Sequence, residues 1–140
     1  MQGLFLEDLS LGQTAELVRV VAEGDITAFA QVTGDTNPVH LDADYAAATS
    51  FGERIAHGML SAGYISAVLG TTLPGPGAIY LSQTLAFKRP VKIGDEVTAR
   101  VKVTAIDEAK ARVTLATACL VRGKTVVDGE AVVMVPRKGA

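Results

Sequence analysis

The sequence predicts an α+β fold in which one buried helix packs against an antiparallel sheet. Three observations carry this. The run His57 to Leu69, HGMLSAGYISAVL, holds no Asp, Glu, Lys or Arg, and its apolar side chains surround the helical cylinder, as in a fully buried helix. From Glu96 to Ile106 the pattern alternates, with Val97, Ala99, Val101 and Val103 on one face and Thr98, Arg100, Lys102 and Thr104 on the other. That is the mark of a sheet with one covered side and one wetter side. Finally, the elements run strand, helices, then several strands, which segregates helix from sheet.

Each element has a local reason. Residues 1–12 end in Leu11-Gly12 and form a lead-in with turn character. Thr14 to Ala22 is rich in β-branched residues and reads as a strand. Asp25 can cap a short helix whose Ile26, Phe29, Ala30 and Thr33 share a face, and Gly34 stops it. Asp35-Thr36-Asn37-Pro38 cannot continue that helix, because proline lacks the amide donor and pushes Asn37 out of the α region. Asp42 or Asp44 can start a second short helix through Ala48, and Ser50 to Arg54 is loop. In the long helix Gly58, Ala62 and Gly63 are small enough for a neighbour to approach closely. After Pro74-Gly75-Pro76-Gly77, four strands are expected: Ile79–Phe87, the first and buried, then Glu96–Ile106, Ala111–Arg122 and Lys124–Val135. Gly94-Asp95, Asp107-Glu108 and Gly123-Lys124 supply the turns.

Composition narrows the functions. The 140 residues are 49% hydrophobic, enough for a single packed domain over 1–140 and incompatible with wholesale disorder. Thirteen basic residues against fifteen acidic ones give a net charge of -2, so there is no broad basic surface for nucleic acid or anionic lipid. The uncharged stretch from Ile55 to Phe87 is broken by glycine and proline and lacks the unbroken apolar helix a bilayer demands. One cysteine, Cys119, cannot form an intrachain disulfide, and its alternating apolar setting makes it a core thiol. The N-terminus has no basic start or long apolar run, and a reduced, cytoplasmic setting is expected.

The chemistry concentrates in Gly34-Asp35-Thr36-Asn37-Pro38-Val39-His40. A carboxylate and an imidazole five residues apart on a proline-fixed loop can surround one small volume, as general acid–base work requires. Plainer readings stand beside this one. Asp35 and Asn37 are ordinary turn residues, and His40 can be a satisfied, half-buried histidine. A metal site of His40 with Asp42 and Asp44 lacks a motif for the remaining ligands, so none is expected. His57-Gly58-Met59 opens the long helix, whose first N–H groups are unpaired and carry partial positive charge. A glycine there lets a substrate oxygen approach the backbone. His57 itself reads equally as a capping, supporting or catalytic residue. Lys88-Arg89 before Pro90 is the densest basic spot outside the tail, either a solvated strand end or a phosphate contact.

Phe29-Ala30-Gln31-Val32-Thr33-Gly34-Asp35-Thr36-Asn37-Pro38-Val39-His40, with Ala46, resembles the signature of the (R)-specific enoyl-CoA hydratases, also called hydratase 2 or MaoC-like dehydratases. Ala56-His57-Gly58-Met59-Leu60-Ser61 is similar to the start of that family's central helix. Residues 79–87, Pro90-Val91 and Gly94-Asp95-Glu96-Val97 are similar to its next strands. The resemblance implies a hot-dog fold, a long helix wrapped by a curved antiparallel sheet, and a homodimer. It implies reversible addition of water to a trans-2-enoyl-CoA, giving the (R)-3-hydroxyacyl-CoA, with no metal or redox cofactor.

By position, Asp35 and His40 would hold the water, Asn37 would orient the loop or the water, and the Gly58 N–H would stabilise the enolate. Leu60, Ser61, Tyr64 and Ile65 are candidates to line the acyl chain's path. Lys88 and Arg89 are candidates for the phosphates, with the pantetheine crossing a subunit boundary. A hot-dog acyl-CoA thioesterase and a non-catalytic acyl-CoA-binding subunit are the alternatives.

Overall fold

The computed structural model describes residues 2–140. A 3-10 turn at Leu6–Asp8 leads into β1 (Thr14–Val20). Four helical segments follow: α1 (Glu23–Thr33), α2 (Pro38–Leu41), α3 (Ala43–Ala47) and α4 (Gly58–Thr71). The chain ends in five strands: β2 (Ile79–Gln83), β3 (Ala86–Phe87), β4 (Glu96–Asp107), β5 (Arg112–Val121) and β6 (Lys124–Met134). Together with β1 they make one six-stranded antiparallel sheet in the order β1-β4-β5-β6-β2, with β3 also paired to β6.

The alternation in β4 places Val97, Ala99, Val101 and Val103 in the core, each at most 1% exposed. They meet Ile65, Val68 and Leu69 of α4 in the same cluster, joined by Val113 and Leu115 of β5 and Val133 of β6. Each fully buried valine or isoleucine contributes about 1.5–3 kcal/mol of transfer free energy, so this seam between α4 and the sheet anchors the fold. Cys119 lies in it with no exposed surface, and burial pushes its thiol up to about 12. At neutral pH it is an unreactive core group.

Several expectations need correction. Helix α1 starts at Glu23, two residues before Asp25, whose carboxylate instead reaches back to accept the Ala22 N–H at 2.9 Å. That reach is half of a capping box. The strand expected over Ile79–Phe87 is split at Thr84-Leu85, because the Thr84 hydroxyl, in place of a backbone carbonyl, accepts the Glu130 N–H at 3.0 Å. Nor is β2 buried, since it is an edge strand with four of five residues exposed.

Helix α4 is not covered all round. Ser61, Tyr64, Ile65, Val68 and Leu69 face inward, while Met59, Gly63, Ser66 and Gly70 form an exposed stripe. A Cβ at Gly63 would meet open space, so close packing within this chain is not why a small residue stands there.

Candidate active site

The site grows from the end of α1. Gly34 takes φ +80°, a conformation that costs glycine no steric strain, and its N–H closes the helix on the Ala30 carbonyl at 2.9 Å. The chain then turns on short-range bonds. Thr33 Oγ1 accepts the Asp35 N–H at 3.1 Å, and Asp35 Oδ1 accepts the Asn37 N–H at 3.3 Å. Asn37 Oδ1 accepts the Val39 N–H at 3.1 Å, capping α2 with Pro38 in its first turn. His40 therefore stands on a helical turn and not on the loop its sequence suggested. Asp35 and Asn37 lie exposed on the connecting turn.

His40 is only 8% exposed. Its Nδ1 is 2.8 Å from the Ile55 carbonyl, which assigns the proton to Nδ1 and leaves Nε2 as an acceptor. The α2 turn is pinned from behind by Arg54. Its Nε donates to the His40 carbonyl at 2.7 Å, and its Nη1 pairs with Glu23 at 2.8 Å.

His57, 2% exposed, stacks on His40 with ring centroids 3.9 Å apart and planes at 29°. Phe29 packs against it at 4.6 Å. Its Nε2 donates to the Asp35 carbonyl at 3.0 Å, and its buried Nδ1 has no partner. That pattern assigns the Nε2–H tautomer.

Ligating atoms of Asp35, His40 and His57 all lie within 4.8 Å of one another. Carboxylate and imidazole thus share one small volume. Among the described residues this trio alone brings ligating atoms that close, and Asp42 and Asp44 are not in it; Asp42 Oδ1 caps α3, accepting from Asp44 N at 3.0 Å and Tyr45 N at 3.1 Å. Within the trio one nitrogen of each ring is already committed, His40 Nδ1 to the Ile55 carbonyl and His57 Nε2 to the Asp35 carbonyl, which leaves one acceptor nitrogen per ring.

In front of His40 opens a cavity of about 460 Å³. Gly58 and Met59 border it, and as the first residues of α4 their N–H groups have no acceptor one turn back. Phe87 lies over Gly58, where a Cβ would stand 2.6 Å from its ring. Ser61, Lys88 and Arg89 also line the cavity, together with Phe51, Val91 and Val127. Leu60, Tyr64 and Ile65 do not. Tyr64 and Ile65 belong to the core, and Leu60 packs against it. Lys88 directs its ammonium to Asp128 at 3.4 Å.

Sequence reasoning missed the supporting set of Arg54, the Ile55 carbonyl and Phe87. Only Arg54 left a signal, as the last charge before the uncharged stretch.

Helix, sheet and cavity together define a hot-dog enzyme, with an acid–imidazole pair beside the free N-terminus of its central helix. More narrowly, residues 10–125 match the family model described as the MaoC like domain, and the chain belongs to that family. It is 58% identical to the (R)-specific enoyl-CoA hydratase of Rhodospirillum rubrum, across 96% of this chain and 94% of that protein. It is 52% identical to the 3-hydroxybutyryl-CoA dehydratase of Methylorubrum extorquens, across 96% and 86%. Among solved structures, the R-hydratase PhaJ1 of Pseudomonas aeruginosa in its unliganded form superposes with a TM-score of 0.92 at 52% identity. That match covers 97% of this chain and 88% of that one.

Proposed function

We propose that the chain is an (R)-specific enoyl-CoA hydratase that adds water reversibly, in syn fashion, to trans-2-enoyl-CoA. The observation that carries this reading is the meeting of the Asp35 carboxylate and the His40 imidazole within 4.8 Å, beside a cavity bordered by the start of α4.

One water sits between the Asp35 carboxylate and His40 Nε2. Its oxygen forms the bond to C3, and its proton passes to the pair. The π electrons of the double bond move toward the thioester, so negative charge collects on the thioester oxygen as an enolate. The Gly58 N–H receives that charge, and one such donor is worth about 3–4 kcal/mol in the transition state. C2 then takes a proton from the pair on the same face. The pair returns to its starting charge, and the net change is one water added. Asp35 and His40 act as a coupled unit. Asn37 holds their turn in shape through its cap on α2. His57 sets the spacing of the pair, one edge bonded to the Asp35 carbonyl and one face against the His40 ring.

The same reading makes the protein a homodimer of single hot-dog domains. Two exposed features of the isolated chain support it: the uncharged stripe on α4, and the edge strand β2 with Ile79 57%, Tyr80 41% and Leu81 41% exposed. It also assigns a reducing, cytoplasmic setting, supported by the single buried thiol of Cys119. Among the described residues no helix is long and apolar enough to cross a membrane.

The test follows crotonyl-CoA through the absorbance of its conjugated thioester and resolves the product's configuration. The wild type should give the (R)-3-hydroxy product without releasing free thiol. Asp35→Asn and His40→Gln should each slow turnover by about 10²–10⁴-fold. Near-normal turnover in either variant would dismiss the pair, and thiol release would favour a thioesterase.

A further inference from the structure

Beside the acyl cavity lies a second one of about 290 Å³, lined by Arg89, Pro90, Val121, Arg122, Lys124 and Val126. The two cavities share Arg89 and Pro90. The segment between them is fixed in place, because the Lys88 and Arg89 N–H groups both donate to the Val126 carbonyl, at 2.8 and 3.2 Å. We propose that Arg89, Arg122 and Lys124 form a seat for the phosphates at the nucleotide end of coenzyme A. The proposal rests on the hydratase reading and adds to it a selection for coenzyme A over shorter thioester carriers.

The turn that carries two of these cations is unusual. Val121 and Lys124 pair across the β5–β6 hairpin, leaving Arg122-Gly123 as a two-residue turn with φ +51° and +76°. Such a turn needs positive φ at both positions and favours Asn or Gly at the first. An arginine there is sterically strained, and strain of this kind gathers where a side chain has a task.

Arg122 is also aimed. Its Nη1 donates to Asp95 Oδ1 at 3.0 Å, while Asp95 Oδ2 accepts the Lys92 N–H at 2.9 Å. The Asp95 side chain is 11% exposed and that of Arg122 77%. The carboxylate thus anchors one corner of the guanidinium and leaves the remaining donors facing solvent. Arg89 and Lys124 form no ion pair among the described residues.

Three cations less the anchoring carboxylate leave a concentrated positive rim on a chain whose net charge is -2. Beneath it, Val121 and Val126 are 5% and 2% exposed and form an apolar floor with Pro90. A nucleotide bearing several phosphates, with a base to lay against apolar surface, has the complementary chemistry. Lys88, the basic residue beside Arg89, contributes less because Asp128 occupies its ammonium.

The experiment compares crotonyl-CoA with crotonyl-pantetheine, which carries no phosphate, in the wild type and in the double variant Arg122→Asn/Lys124→Gln. Asparagine tolerates the turn's positive φ, and Lys124→Glu serves as a second variant outside the strained position. The preference, kcat/KM for the coenzyme A thioester over the pantetheine thioester, should fall about 10-fold in the double variant and further in Lys124→Glu. An unchanged preference in both would overturn the seat.

Calorimetry with adenosine 3′,5′-bisphosphate gives a readout independent of turnover. Binding by the wild type that is lost in the variants supports the seat, and no binding by the wild type overturns it. Failure of the hydratase reading shows itself differently, as no hydration of either thioester by the wild type.

Discussion

His57 is the residue whose surroundings ask most of it. A buried ring nitrogen without a partner is costly, and the buried Nδ1 of His57 is one such atom. The compensation lies on the ring's other edge and faces, which hold the Asp35 carbonyl, His40 and Phe29 together. Two substitutions separate these duties. Gln keeps a donor near the Nε2 position and loses the stack, whereas Phe keeps the stack and loses the donor. Both should lower kcat on crotonyl-CoA, by up to about 10²-fold, since small misplacements of reacting groups cost that much. KM should change less than kcat if His57 acts by positioning the pair, because its ring, 2% exposed, gives the cavity wall little accessible surface. A fall in melting temperature with kcat intact would reduce it to a packing residue. Asp35 and His40 stood out in the sequence because a proline-fixed turn forces nearby residues together. His57, 22 positions from Asp35, could be flagged there but not given a role, since only tertiary packing stacks one imidazole on the other.

At the scale of elements, the site depends on how closely α4 begins beneath β3. Gly58 is the first residue of α4, and the Phe87 ring of β3 covers the space a side chain would fill. Gly58→Ala places a methyl where that ring lies, so the ring must swing aside and substrate oxygen meets a bulkier helix start. Because Phe87 is 55% exposed and can move outward, the melting temperature should hold within a few degrees. Turnover should fall about 10-fold or more as one oxyanion donor is obstructed. Activity equal to wild type would show that the thioester oxygen binds elsewhere.

Elements were legible where periodicity spoke for them. The β4 alternation and the uncharged helix both appear in the structure, because burial of one face is written in side-chain type. The split of β2 from β3 was not legible, since Thr84 ends the ladder through its hydroxyl, and threonine is also a good strand former. The α2 turn was hidden for a similar reason. Proline before His40 signals a stop, yet proline also fits the first turn of a new helix.

The whole molecule poses a question its single chain does not close. Sequence periodicity demanded a helix covered on every side, yet α4 shows an open stripe of Met59, Gly63, Ser66 and Gly70, with Met59 54% exposed. The homodimer proposed above would answer both facts if a second copy laid its own stripe on this one, in a symmetric contact where small residues let two helices approach. Gly63 gives the decisive substitution. A side chain at this position has open space in the isolated chain, and arginine favours a helix more than glycine does. Gly63→Arg should therefore leave the monomer folded while thrusting charge and bulk into the contact. In light scattering the wild type should run at twice its 14.5 kDa chain mass, and Gly63→Arg should fall to the mass of one chain with its circular dichroism unchanged. A wild type that runs as a monomer, or a folded variant that still runs as a dimer, would mean that the stripe faces solvent and the helix owes its lack of charge to something other than a partner.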